Sequence, residues 1–160
     1  MQRTAPTPYS MLKKTEIEAL LPHQGSMFLL DQVSRFDRNE IECSAISHRD
    51  PHNPLRHQDQ LPAHVTIEYA AQAAGVHGGL LNRELYPDAP AQMGYLAVIS
   101  NLRWSVDRLD DLPDALHIHA RRTAVTGGGR AYRVRIEHQS VLIMSGDLII
   151  ALQPSGKDTR

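Results

Sequence analysis

Glu68 is the residue best suited to acid–base chemistry, because it is the one acidic residue in an apolar stretch, residues 61–81 (LPAHVTIEYAAQAAGVHGGLL). A carboxylate among apolar neighbours is costly unless it is paired, protonated or facing a ligand cavity. On a helix, His64 would lie one turn before Glu68 and Gln72 one turn after it, on the same face. Glu68 is therefore either a proton-transfer group or a structural carboxylate bonded to Gln72 or to the backbone, and chemistry alone favours neither.

A second set of reactive side chains precedes this stretch. Residues 47–60 (SHRDPHNPLRHQDQ) contain two prolines, three histidines and almost no apolar side chain, which predicts a loop. Loops held by a rigid scaffold often carry reacting groups, and His48, His52 and His57 each offer a proton donor or acceptor near neutral pH. For any one of them, a solvated polar loop is the alternative.

The stretch that carries Glu68 is predicted to be a buried helix. Pro62 is typical of a helix start, and from Ala63 to Ala74 apolar side chains cover nearly the whole circumference. The tract is too short and too polar to span a bilayer, so a curved sheet is the natural wrapper. Strand-like segments are predicted at residues 27–36, 41–46, 92–104, 117–125, 130–138 and 141–152. A short amphipathic helix, residues 14–21, is expected to dock on this body.

Composition fits one domain. The chain has 160 residues, with 17 basic and 18 acidic side chains and a net charge of -1, which argues against a nucleic-acid-binding protein. Neither a secretory signal nor a membrane-spanning run is apparent, so a cytoplasmic protein is expected. The lone Cys43 is predicted to be a small buried residue. His117 and His119 share a strand face without a third ligand fixed by spacing, so no metal is expected.

The order of elements is typical of the hot-dog fold, an α+β architecture in which an antiparallel sheet wraps around one long central helix. Three segments resemble the β-hydroxyacyl-acyl carrier protein dehydratases: LLPHQGSMFLLDQV, LPAHVTIEYAAQAAG and GYLAVISNLRW. The resemblance runs from about residue 17 to residue 152. One hot-dog domain is expected over residues 11–153, and the polar ends, residues 1–10 and 154–160, are predicted to be flexible tails.

In that family, the helix glutamate works with a loop histidine contributed across a dimer interface, and the helix start polarises the thioester carbonyl. The resemblance implies Glu68 as the acid or water-orienting group and His57 as the base, with His52 as a further candidate. It also implies four substrate-binding residues: Ala63, His64, Val65 and Gln72. No cofactor is expected, since the substrate is carried on the phosphopantetheine of acyl carrier protein.

The loop departs from the family pattern. The family histidine is followed by Phe-Pro-Gly, whereas NPLRHQDQLP is shorter and lacks that tetrapeptide. Aligned from the upstream Asn-Pro, the family histidine falls near Asp59. The shortened loop, with IEYAAQ after it, is more similar to the dehydratase-like proteins of aryl polyene pathways.

The expected reaction is dehydration of 3-hydroxyacyl thioesters to trans-2-enoyl thioesters. A thioesterase of the same fold and a non-catalytic subunit that pairs with an active homologue are the alternatives. A homodimer at least is expected, and a second hot-dog subunit is a possible partner. Five arginines on two adjacent predicted strands are candidates for docking an acidic carrier protein: Arg121, Arg122, Arg130, Arg133 and Arg135.

Overall fold

The computed structural model describes residues 11–21, 25–90 and 94–153, so both predicted tails lie outside the described residues. The strands are β1 (Leu12–Lys13), β2 (Gln32–Phe36), β3 (Glu40–Ala45), β4 (Gly94–Trp104), β5 (Leu116–Val125), β6 (Gly129–His138) and β7 (Val141–Leu152). The α-helices are α1 (Lys14–Ile17) and α2 (Thr66–Leu85). Single 3₁₀ turns cover Glu18–Leu20, Gly25–Met27, Ser47–Arg49 and Ala63–Val65.

The strands form one seven-stranded antiparallel sheet in the order β1-β2-β3-β5-β6-β7-β4. Strands β2 and β3 form a hairpin, and β5, β6 and β7 form an antiparallel meander. Strand β4 follows the helix in sequence but crosses to the far edge and pairs with β7. Helix α2 packs against strands β3, β5, β6 and β7. The hot-dog fold predicted from the sequence is confirmed.

The core lies between α2 and the inner face of the sheet. In β6, Tyr132, Val134 and Ile136 are buried while Arg133 and Arg135 are exposed, as their alternation predicts. Cys43 is buried in β3, where burial raises the pKa of its thiol. It is a small core residue, as predicted, and its protonated sulfur is a poor nucleophile.

Two predicted elements are shorter than expected. The strand predicted over residues 27–36 begins only at Gln32, because the backbone before it bonds to a helix side chain: the Leu29 N–H donates to Gln72 Oε1 at 2.8 Å. The helix predicted over residues 14–21 divides into α1 and a 3₁₀ turn ending at Leu20. Pro22, directly after the predicted helix, lies outside the described residues.

Helix α2 is buried on most of its circumference, but within one chain it leaves one stripe partly open. The stripe includes Glu68, Ala71, Gly75, Gly78 and Asn82, all half-buried. This open stripe is therefore the side of the helix on which a site can form.

None of the helices in the described ranges is long and apolar enough to cross a membrane.

Candidate active site

Glu68 lies at a cavity of about 660 Å³ between the open stripe of α2 and the ends of strands β4 and β7. The wall contributed by the strands is mostly apolar and includes Leu96, Ile150 and Leu152. The wall contributed by the helix includes small residues: Gly75 packs closely against Leu21, and Gly78 leaves open space, since a Cβ there would meet no atom within 4 Å. The cavity suits a hydrocarbon chain that begins beside a carboxylate.

Gln72 holds Glu68 in place. The Gln72 side chain is buried, its Oε1 accepts the Leu29 N–H at 2.8 Å, and its Nε2 donates to the Met27 carbonyl at 2.8 Å. The same Nε2 donates to Glu68 Oε1 at 3.1 Å. Glu68 thus has both properties that its sequence left open: it is bonded to Gln72, and it faces a cavity.

Residues 107–114, which connect β4 to β5, hold the start of the helix. The Ala63 N–H donates to the Asp107 carbonyl at 3.0 Å, and the Val65 N–H donates to the Pro62 carbonyl at 3.1 Å. These two amides, expected to polarise a substrate carbonyl, are engaged within the fold. The His64 side chain is exposed and does not line the cavity.

The loop histidines lie apart from Glu68 within one chain. His52 and His57 are exposed, as is Asp59, and none of the three lines the cavity. His57 opens a tight turn, closed by backbone hydrogen bonds to Gln60 of 2.8 and 3.0 Å. Within one chain, the structure therefore does not bring either candidate base, His52 or His57, to the cavity beside Glu68.

The loop is fixed to the helix beside Glu68 by a group of polar side chains that were not among the predicted site residues. Ser47 Oγ donates to the Leu29 carbonyl at 2.6 Å and, since its one proton is used there, accepts from the Tyr69 hydroxyl at 2.7 Å. Burial raises the pKa of Tyr69 to about 12. Asn53, also buried, donates from Nδ2 to the Ser47 carbonyl at 2.9 Å. The signal in the sequence was the position of Tyr69, directly after Glu68.

The end of the cavity distant from Glu68 is polar. Arg122, Arg130 and Tyr132 line it there. His77 Nε2 lies 2.8 Å from the Asp37 carbonyl, which only accepts, so Nε2 carries the proton and Nδ1 accepts from the Tyr132 hydroxyl at 2.7 Å. Burial lowers the pKa of His77, in keeping with this neutral form.

On the outer face of the sheet, His119 Nε2 lies 3.0 Å from Glu40 Oε2, and His117 is exposed nearby. In the part of the chain that the structure describes, no three His, Cys, Asp or Glu side chains are grouped so as to hold a metal ion.

A family model described as ApeP-like, ApeP dehydratase, matches residues 15–159. The chain belongs to the ApeP-like dehydratase family. The predicted resemblance to the dehydratases of aryl polyene pathways is thereby confirmed, and with it the dehydratase class of the enzyme. A search of curated proteins gave no match.

Solved structures share the fold. One is the dehydratase heterocomplex ApeI:P from Xenorhabdus doucetiae, with a TM-score of 0.77 at 24% identity over 87% of this chain and 91% of that one. A thioesterase from Haemophilus influenzae matches with a TM-score of 0.59 at 13% identity over 91% and 94% of the two chains. A hypothetical thioesterase from Streptococcus pneumoniae, solved with coenzyme A, matches with a TM-score of 0.55 at 11% identity over 77% and 85%. At these identities the structures establish the fold, and the family match establishes the enzyme class.

Proposed function

We propose that this ApeP-like dehydratase converts 3-hydroxyacyl thioesters, carried on acyl carrier protein, to trans-2-enoyl thioesters. The observation that carries the proposal is Glu68, a carboxylate held by a buried amide at one end of an apolar cavity. The apolar cavity would accept the acyl chain. The carboxylate at its end would then lie beside C2 and C3, the carbons at which the reaction takes place.

The reaction requires one group that removes the C2 proton and one that protonates the departing hydroxyl. In the proposed arrangement, a loop histidine, His57 or His52, takes the C2 proton. Glu68 protonates the hydroxyl at C3, so that the C3–O bond breaks and water leaves. Because neither histidine lines the Glu68 cavity of its own chain, we place the partner histidine on a second subunit.

The edge strand β4 is the proposed contact with that subunit. It spans 11 residues and exposes large apolar side chains at the sheet edge, with Tyr95 55%, Val98 47% and Trp104 41% exposed. A sheet edge of this kind pairs readily with a second sheet. We propose a homodimer at least, or a pair with a second hot-dog subunit as in the ApeI:P heterocomplex. A stable monomer by light scattering at micromolar concentration would contradict this assembly.

The outer face of the sheet is the proposed docking surface for the carrier. The arginine cluster predicted from the sequence is divided between two faces, and Arg121, Arg133 and Arg135 lie on the outer one. Arg133 is paired there with Asp147 at 3.2 Å. Reversing the charges of Arg133 and Arg135 should weaken use of the carrier-bound substrate far more than use of the coenzyme A form. Equal losses on both would exclude docking at this face.

The test is a small set of variants assayed for water elimination and for thioester hydrolysis on the same 3-hydroxyacyl substrate. Glu68→Gln should fold normally, since the amide fills the same volume, yet lose roughly 10²-fold or more in turnover. Glu84→Gln, at an exposed position on the same helix, is the matched control and should be fully active.

His57→Ala and His52→Ala identify the base, with His117→Ala as a control on an exposed strand position. Only the true base should lose activity on the scale of Glu68→Gln. Hydrolysis without elimination would make the protein a thioesterase. Activity only in the presence of a second chain would make the partner a required part of the site. A fully active Glu68→Gln variant would refute the catalytic assignment.

A further inference from the structure

Two arginines line the cavity at the end distant from Glu68. Arg122 in β5 and Arg130 in β6 both contribute to its wall, beside Tyr132. Both side chains are half-buried, and their charges act on Tyr132, whose pKa they lower against the larger effect of burial. The cavity thus has a carboxylate at one end and two guanidinium groups at the other.

The position of this pair distinguishes it from the other arginines of the same strands. Arg121 and Arg133 face each other across the ladder on the outer side of the sheet, where Arg133 bonds to Asp147. Arg122 lies on the inner side, and none of the described residues forms a hydrogen bond or ion pair with its guanidinium. Arg130 uses Nη1 locally, donating to the Thr126 carbonyl at 2.7 Å and to its neighbour Gly129 at 2.8 Å. A partly desolvated guanidinium without an acidic partner favours a ligand that brings an acceptor or a negative charge.

The wall between the two ends is suited to hydrocarbon. Ala71, Gly75 and Gly78 line it on the helix side and offer no side-chain hydrogen-bonding groups, and Leu96 and Ile150, in register with Arg130 at the far end, are apolar as well. A pantetheine arm carries two amides and would lose hydrogen bonds to water in such surroundings. An acyl chain would lose none.

The length of the cavity sets the length of that chain. His77, which bonds to Tyr132 beside the arginines, is nine residues after Glu68, and Asn82 is fourteen residues after it. At a helix rise of 1.5 Å per residue, these positions lie about 14 and about 21 Å from Glu68 along the axis. An extended chain advances about 1.2 Å per bond, so roughly 11 bonds reach the level of His77, beside the arginines, and roughly 17 reach the level of Asn82.

We propose that Arg122 and Arg130 bind an oxygen-bearing, hydrogen-bond-accepting group at the end of the acyl chain distant from the thioester. The inference rests on the proposed function, since Glu68 marks the thioester end. It makes the two arginines specificity determinants: they select acyl chains that end in an acceptor or an anion over chains that end in a methyl group.

The test measures binding of two unreactive probes by calorimetry. Both are N-acetylcysteamine thioethers of the same chain length, about 12 carbons, one ending in a carboxylate and the other in a methyl group. The unmodified protein should bind the carboxylate-ended probe at least tenfold more tightly. The Arg122→Leu/Arg130→Leu double variant should lose that preference. The outer-face control, Arg121→Leu/Arg135→Leu, should keep it.

A second double variant, Arg122→Lys/Arg130→Lys, retains the charges and should keep part of the preference if the leucine variant does not fold. Equal binding of both probes by the unmodified protein would overturn the proposal. So would an equal loss of both probes in the leucine variant with its melting temperature unchanged. A third probe, the methyl-ended thioether on a phosphopantetheine arm, separates the acyl end from the carrier: weakened binding of this probe alone in the leucine variant would assign the arginines to the carrier instead.

Because the probes are never turned over, the binding result is independent of catalysis. If the protein discriminates between the probes but does not eliminate water, this inference holds and the proposed reaction is wrong. If it eliminates water but binds both probes equally, the proposed reaction holds and this inference is wrong.

Discussion

Gln72→Leu should disconnect Glu68 from the segment that supports it. The substitution removes an amide that accepts the Leu29 N–H and donates to the Met27 carbonyl and to Glu68. A buried polar group left without a partner costs about 1–3 kcal/mol, and two backbone groups lose theirs. The buried leucine offsets about 1–2 kcal/mol of this loss. We expect a net loss of about 3 kcal/mol in the free energy of unfolding.

For a domain of this size, each 1 kcal/mol lowers the melting temperature by about 2–4 °C, so calorimetry should show a decrease of roughly 6–12 °C. Gln60→Leu makes the same chemical change at an exposed position and should shift the melting temperature by less than about 2 °C. Turnover by the folded fraction of Gln72→Leu should also fall at least about tenfold, since Glu68 loses a bond that orients it. A melting temperature equal to that of Gln60→Leu would show that Gln72 does not anchor the segment. Unchanged turnover would show that it does not orient Glu68.

Three further predictions concern the cavity wall, the connection before β5 and the buried histidines. A Cβ at Gly78 would meet no atom within 4 Å, and a larger side chain there would enter the cavity. Gly78→Phe should therefore leave the melting temperature unchanged. It should reduce turnover of a 12-carbon substrate at least about tenfold and leave turnover of a four-carbon substrate unchanged. The hydrogen bond from Arg108 holds the pKa of Asp110 below its usual range. Asp110→Asn should therefore lower the free energy of unfolding by about 1–3 kcal/mol at pH 7. Urea unfolding of the two proteins should show this difference shrink as the pH falls below about 4. Burial lowers the pKa of His48 and of His77, so the unfolded chain binds protons more readily than the folded one. The free energy of unfolding should therefore be at its full value above about pH 6.5 and decrease on acidification below it. Equal urea midpoints at pH 7.5 and 5.5 would contradict this.

Local patterns predicted most of the secondary structure. The alternation of residues 130–138 and the apolar circumference of residues 63–74 each have a short period, so neighbouring residues suffice to recognise a strand or a helix. The failure at residues 27–31 has the opposite origin. The Leu29 N–H bonds to a residue 43 positions later, and no local pattern contains that partner.

The site was predictable to a similar extent. Glu68 stood out as a charge in an apolar helix, and its bond to Gln72 follows from helical spacing. The His77–Tyr132 bond and the inward position of Arg122 depend on how β5 and β6 pack against α2, so the sequence contained no local sign of them. Which histidine acts with Glu68 stays a prediction, because neither His52 nor His57 lines the cavity beside Glu68 within one chain.

The edge strand β4 has a consequence for production of the protein in a cell. Eleven residues with exposed Tyr95, Val98 and Trp104 form a template that any other exposed strand can extend, including that of a misassembled copy. A newly made chain is therefore exposed to aggregation and proteolysis until its edge is covered. By mass action, the yield of soluble protein and its resistance to heat should rise with the concentration of the chain that covers the edge. We therefore predict that co-expression with the chain that covers β4 raises the amount of soluble enzyme that accumulates.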